Sequence, residues 1–304
     1  MSAPDMEAQS TIASRRAAAR AAGRDGGVLR WVPIITQHLV LGSIVAAVLL
    51  PIFWIAFSSV KTVPELYQIP STFIPRTWTL EGYRFVLENV PLLPVYYANS
   101  LVVAAVSTFG TAAIACLAGY AFGRLDFWGR DRVFWGLVIS MFLPTSITSL
   151  FATYELIDLL GLLDTQLGLI LPYTAMGMIF ATFIMRSVFM TIPGELEDAA
   201  RMDGAGPFQT FFRVMLPLAM NGIVVVLILA FINHWGEYLL ARTLTTQKAL
   251  TLPVVLAGFQ PQAGEWHFST MAAAYMLMFF PAFVVLAVIQ RWFMRGLTEG
   301  AIKF

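Results

Sequence analysis

Six long apolar runs constrain this chain more than any other feature. They cover about residues 37–59, 97–122, 133–154, 167–188, 217–239 and 271–293. A helix crosses the hydrocarbon core of a bilayer with roughly 20 apolar residues, and each run has that length. Lipid offers no partner to a free backbone N–H or C=O, so each run has to be helical. The expected fold is an all-α membrane protein with six transmembrane helices. Charged residues fill only 12% of the 304 positions, against ~25% in ordinary soluble domains. Pro144 and Pro281 fall inside the third and sixth runs. Each removes a backbone donor and should kink its helix, freeing a carbonyl for neighbouring helices to satisfy. Cys116, the single cysteine, lies in the second run. It reads as a small packing residue, and no disulfide or thiolate metal framework is possible.

Lys and Arg set the orientation. With the N-terminus inside, 14 of the 19 basic residues fall on inside segments, and only Lys61, Arg76, Arg84, Arg242 and Lys248 fall outside. Both termini are therefore expected in the cytoplasm. Residues 1–36 read as a basic cytoplasmic arm, and 37–94 as the first span with a long extracytoplasmic loop. Residues 95–291 form the helical core and 292–304 a cytoplasmic tail. The first run is longer than the apolar part of a signal peptide and no small-residue cleavage site follows it, so it should remain as an anchor. Outer loops 60–96 and 240–270 carry many prolines and aromatics, and the first reads as short interfacial helices and turns. A net charge of +1 implies no polyelectrolyte partner, and nucleic acid is not expected.

The longest inner loop is a charged island. Residues 193–217 open with Pro193-Gly194, and carboxylates at Glu195, Glu197 and Asp198 suit the first turn of a short helix. Asp203-Gly204 is a stop and turn signal. Pro207 fits the first turn of a second helix, in which Phe208, Phe211, Phe212 and Met215 recur with helical spacing and predict one aromatic face. Two short helices about a glycine elbow make a compact knob, able to sit in a cleft of a soluble protein. An ordinary surface loop lying on the membrane fits the residues equally well.

The same stretch resembles the Glu-Ala-Ala loop of ATP-binding-cassette importer permeases. Here the motif runs Asp198-Ala199-Ala200, three residues, Gly204, nine residues, then Val214-Met215-Leu216-Pro217. Asp198 stands for Glu and Val214 for Ile, while Glu197 precedes the motif and could share the acidic role. The likeness continues through Asn99-Ser100, Gly119 to Gly129, Gly161 to Tyr173 and the ending Gly296 to Phe304. Together these are similar to MalG-type subunits of carbohydrate importers, with the type I permease fold. One departure is Trp235-Gly236-Glu237, where the family often has Trp-Asn followed by an acid.

The resemblance implies a heteromeric importer in a bacterial inner membrane. A second, MalF-like permease subunit would complete the pathway, an ATPase dimer would dock underneath, and an extracytoplasmic binding protein would deliver a sugar. Glu197, Asp198, Ala199, Ala200, Asp203, Gly204, Leu216 and Pro217 would form the ATPase-coupling loop. Gly300, Lys303 and Phe304 would belong to a tail reaching the ATPases as an extended insert, with a frayed terminus as the ordinary expectation. Loop 245–268 would contact the binding protein or cover the outer mouth. The chain has no Gly-x-x-x-x-Gly-Lys-Ser/Thr loop. ATP and Mg²⁺ would then belong to the partner ATPase, with no cofactor in this chain.

Polar residues within the spans are costly. Asn233, His234 and Glu237 cluster near the outer end of the fifth run, with Asn233 and Glu237 four residues apart. They either line a path for a hydroxyl-rich solute or form interhelical hydrogen bonds, and the second reading is favoured. Asn99 carries the same ambiguity. His38, His234 and His267 have no metal-ligand spacing, and no catalytic set is present, so neither a metal site nor an enzyme is expected. The alternatives are a permease for another polar solute such as glycerol 3-phosphate, a stand-alone secondary transporter, or a membrane scaffold. A secondary transporter would want coupling carboxylates at mid-span, and a phosphate-bearing solute would want a cation in the pathway.

Overall fold

The computed structural model describes residues 36–142, 146–259 and 268–301, with backbone alone toward the end of the last helix. Every regular element among them is helical. The first, α1 (Thr36–Ser58), is apolar along its length and forms a unit of its own through Phe57.

The second unit begins at Ser58. Two short helices, α2 (Val63–Leu66) and α3 (Glu81–Asn89), occupy the 60–96 loop, as its prolines and aromatics predict. Then come α4 (Leu93–Arg124), α5 (Arg130–Ser140), α6 (Ser146–Leu159) and α7 (Gln166–Thr191). The knob at 193–217 holds α8 (Gly194–Met202), α9 (Pro207–Thr210), a π-helical turn Phe211–Met215, and α10 (Leu216–Leu218). The chain finishes with α11 (Met220–Trp235), α12 (Leu239–Leu244), α13 (Leu252–Leu256) and α14 (Phe268–Ala301).

Among the described residues, four helices are long and apolar enough to cross a membrane: α1, α4, α7 and the Phe268–Val285 part of α14. A fifth is counted if Pro207–Leu218 and Met220–Trp235 are taken as one span bent by 74°. The third apolar run is not one continuous helix. It is divided between α5 and α6, and the stretch holding Pro144 lies outside the described residues. The second span is longer than its apolar run because Pro94 starts the helix early. Proline suits a first turn, where its missing N–H would have no partner anyway.

The helix α4 packs most extensively on α7. Their approach is close at Gly119, where a Cβ would stand 2.6 Å from the Cβ of Met185. Small residues let helices meet through dispersion contacts, which matters in lipid because the hydrophobic effect no longer separates helix from surroundings. Around this contact, Ala115, Cys116, Tyr120, Met185, Phe189, Phe211 and Met215 form a buried cluster at the knob's base. A second cluster joins α3, α4, α11, α13 and α14.

Pro281 inside α14 leaves the carbonyl of Leu277 without its usual intrahelical donor. The hydroxyl of Tyr97 on α4 donates to that oxygen, and the indole N–H of Trp235 donates to the next carbonyl, Met278, at 3.0 Å. Neighbouring helices thus satisfy the helix where proline interrupts it.

Candidate functional site

The knob is built as its sequence suggests. Helix α8 stops at Met202, and Gly204 turns the chain with φ of 84°, a left-handed conformation that favours glycine. Pro207 opens the next helix. The aromatic stripe does not form a single face, however. Phe211 and Met215 are buried, whereas Phe208 is 77% exposed and Phe212 56% exposed. The four residues make two i, i+4 pairs on adjacent stripes, and only one stripe reaches the core. The other leaves the knob with a bare aromatic edge.

The two acids at the start of the motif also part company. Consecutive residues on a helix point about 100° apart, and here that turns Glu197 inward and Asp198 outward. Glu197 is only 5% exposed. Its Oε1 accepts the Tyr120 hydroxyl at 2.8 Å and the Arg201 guanidinium at 2.9 Å. Asp198, Ala199, Asp203, Gly204 and Pro217 are exposed, with Ala200 and Leu216 half-buried. The spans hold the knob's base through arginines. Arg124 donates from Nε to the Phe189 carbonyl at 2.9 Å and also bonds the Ile192 carbonyl. Arg186 of α7 donates to the Phe122 carbonyl of α4 at 3.2 Å. These bonds tie the ends of the two helices together, adding to the Ile192 N–H that already reaches the Phe189 carbonyl.

Toward the other end of α7 and α11 lies a cleft of about 290 Å³, lined by Tyr173, Met176, Phe180, Asn233, His234 and Glu237 among others. Asn233 faces it on an exposed position, its Nδ2 donating within the helix to the Leu229 carbonyl at 2.8 Å. Glu237 does not share a helical face with Asn233, because α11 ends at Trp235. Its carboxylate instead accepts the N–H groups of Leu240 and Ala241 at 2.8 and 3.0 Å, and the Tyr173 hydroxyl at 2.6 Å. His234 is buried against Tyr173, its Nε2 donating to the Tyr173 carbonyl at 3.1 Å with Thr108 beside Nδ1 at 3.3 Å.

Asn99 lies away from the cleft. Its amide N donates to the carbonyls of Lys248 and Leu250 at 3.0 and 3.1 Å, and its oxygen accepts from Gln166 at 2.8 Å. Next to it, the Ser100 hydroxyl accepts the Leu252 N–H at 2.7 Å. These bonds strap the 245–252 loop onto α4. Asp164 finishes the strap by accepting the N–H groups of Thr246, Gln247, Lys248 and Ala249 at 3.0 to 3.2 Å. Partial burial alone would raise the Asp164 carboxyl. The four N–H donors outweigh it and hold the group well below the ordinary carboxylate range.

Gly300 lies on the helical backbone of α14, which continues through Ala301, so Gly296–Ala301 is helical where an extended insert was expected. Lys303 and Phe304 fall outside the described residues, as do Trp266 and His267 of the 245–268 loop. Sequence reasoning did not single out Tyr120, Arg124, Asp164 or Tyr173 as individuals. A tyrosine inside an apolar span, which must find a polar partner, was the available signal for the first.

Several bilayer-length helices among the described residues, joined by a polar knob riveted to two of them, define a polytopic membrane protein. Over residues 114–299 the chain matches the binding-protein-dependent transport system inner membrane components. It is 36% identical over 258 residues to the sulfoquinovosyl glycerol transport system permease protein of Agrobacterium fabrum, covering 84% of this chain and 89% of that one. It is 35% identical to the trehalose transport system permease protein of Mycobacterium tuberculosis, over 86% of this chain and 94% of that one. It is 32% identical to the trehalose/maltose transport system permease protein of Thermococcus litoralis, over 87% and 96%. Its fold matches a chain of a bacterial ABC transporter involved in import of the acidic polysaccharide alginate, with a TM-score of 0.72 at 22% identity, covering 86% of this chain and 96% of that one. The chain belongs to the binding-protein-dependent transport system inner membrane component family, and is an inner-membrane ABC permease.

Proposed function

We propose that this chain is the MalG-like permease subunit of an ATP-driven importer for a sugar or oligosaccharide. The observation that carries the reading is the knob at 193–217. Its base is fixed to α4 and α7, while its outer surface presents Asp198, Met202 and Phe208 to solvent. Such a surface suits a groove on a partner ATPase, which would hold the ATP and Mg²⁺. A MalF-like second subunit would complete the pathway, and an extracytoplasmic binding protein would deliver the solute. Support for that last partner comes from the family's binding-protein dependence and from a transporter of the same fold seen with a pentasaccharide-bound periplasmic protein. The proposed topology has six spans and two cytoplasmic termini, with α5 and α6 together supplying the third crossing and α10–α11 the fifth.

A carbohydrate is favoured over a phosphate ester, although several relatives are named as sn-glycerol-3-phosphate permeases. Among the described residues, the cleft lining holds Glu237, Asn233, His234 and aromatic rings but no Lys or Arg. An anionic solute would meet a carboxylate there without a cation to balance it, whereas sugar hydroxyls and apolar ring faces suit amides and aromatics. The test is co-purification of the ATPase with native protein and with Gly204→Pro. Proline fixes φ at about −65°, so it breaks the elbow and leaves the spans alone. The native chain should retain the ATPase and the variant should insert normally but lose it. Native protein that retains no ATPase, or a variant that transports normally, would overturn the importer reading.

A further inference from the structure

Tyr120 stands where four elements meet. Its ring packs against Phe189 of α7 with centroids 5.6 Å apart, and against Phe211 of the π turn at 5.0 Å. Its hydroxyl leaves this buried aromatic group and reaches Glu197 of α8 at 2.8 Å. One turn further along α4, Arg124 bonds the carbonyls of Phe189 and Ile192 just ahead of Pro193-Gly194. A glycine beside a proline would ordinarily be the place for the knob to hinge. Here both sides of that junction are tied to α4, on one side by Arg124 and on the other by Glu197.

We infer that Tyr120 and Glu197 are positioning residues forming a rigid joint, so that α8 moves as one body with α4 and α7 rather than hinging at Pro193-Gly194. The two neighbouring acids thereby divide the work. Glu197 faces inward and transmits force to the spans, which leaves the outward Asp198 free to meet a partner. The geometry favours this over simple capping. A carboxylate at a helix N-terminus needs no distant partner to offset the dipole, yet Glu197 is buried and bonded to a residue 77 positions away. Arg201, mostly exposed, neutralises the carboxylate from the solvent side at 2.9 Å. Burial of the charge is tolerated only while both partners stay in place. The joint is accordingly two-state, either docked with all its bonds or released.

This inference rests on the coupling reading but is tested separately from it. Nitroxide labels at Leu196→Cys and Phe109→Cys, both exposed and off the proposed docking surface, in a Cys116→Ala background, report the separation of α8 from α4 by pulsed electron resonance. In the assembled transporter the distribution should be narrow and unchanged between nucleotide-free and ATP-trapped states. Tyr120→Phe removes one hydrogen bond to a charged group, which should raise the released population by about tenfold or more and broaden the distribution. ATPase co-purification should persist while stimulation of hydrolysis by loaded binding protein falls. A native distance that shifts between nucleotide states overturns the rigid joint, as does a Tyr120→Phe distribution as narrow as native. If native chain captures no ATPase, the functional reading fails instead, and the label widths of the lone permease still decide the joint.

Discussion

Replacing Tyr97 by Phe removes one oxygen atom and leaves the Leu277 carbonyl with no donor, because Pro281 cannot supply one. Leaving a buried acceptor unsatisfied costs about 1–3 kcal/mol in water-soluble proteins. Interhelical hydrogen bonds in membranes measure less, averaging ~0.6 and reaching ~1.7 kcal/mol, because the unfolded chain in lipid finds other partners. This bond should fall at the high end, about 1–2 kcal/mol, since a proline-freed carbonyl has no intrahelical donor to return to. The assay is a double-mutant cycle with Pro281→Ala, read by denaturant unfolding of the purified chain in mixed micelles. Alanine restores an N–H at position 281 and lets Leu277 bond within its own helix. Tyr97→Phe should then cost less than about 0.5 kcal/mol. An equal cost in both backgrounds would show that Tyr97 acts through packing, and the reasoning about the orphaned carbonyl would be wrong.

Two other measurements follow from the same geometry. Gly119→Ala places its Cβ 2.6 Å from the Met185 Cβ and 2.8 Å from the Arg186 N. It should cost about 1–3 kcal/mol by overpacking, whereas Gly136→Ala, with nothing within 4 Å, should be neutral or slightly stabilising by the same unfolding assay. Asp164 has a folded-state pKa below its ordinary 3.8. Its contribution is therefore full above that value and is lost as pH falls through the folded one. Amide exchange at Thr246 to Ala249, corrected for intrinsic rates, should be slow at neutral pH and accelerate in strong acid. Asp164→Asn should lose that protection at neutral pH, and slow exchange in this variant would refute the strap.

The amino-acid sequence alone determines that this chain is a helical membrane protein with a polar knob on one side. Bilayer thickness and the need to satisfy the backbone act on composition and run length, and both are visible residue by residue. The knob's boundaries were legible for the same local reason: Pro193, Gly204 and Pro207 punctuate the backbone through their own φ preferences, whatever surrounds them. Which side of the knob faces in was not local. Glu197 and Asp198 are adjacent acids, and only the position of Tyr120, brought in by the close α4–α7 contact at Gly119, decides that one is buried and the other free. Asn99 illustrates the same limit. As a polar residue in an apolar span it signals a partner but not which one, and a loop 149 residues away, at Lys248, supplies it. Glu237 looked like a helical neighbour of Asn233 until α11 ended at Trp235 and its carboxylate turned to cap α12. Local propensity sets where helices start and stop, but side-chain bonds between elements distant in sequence exist only once the helices have packed.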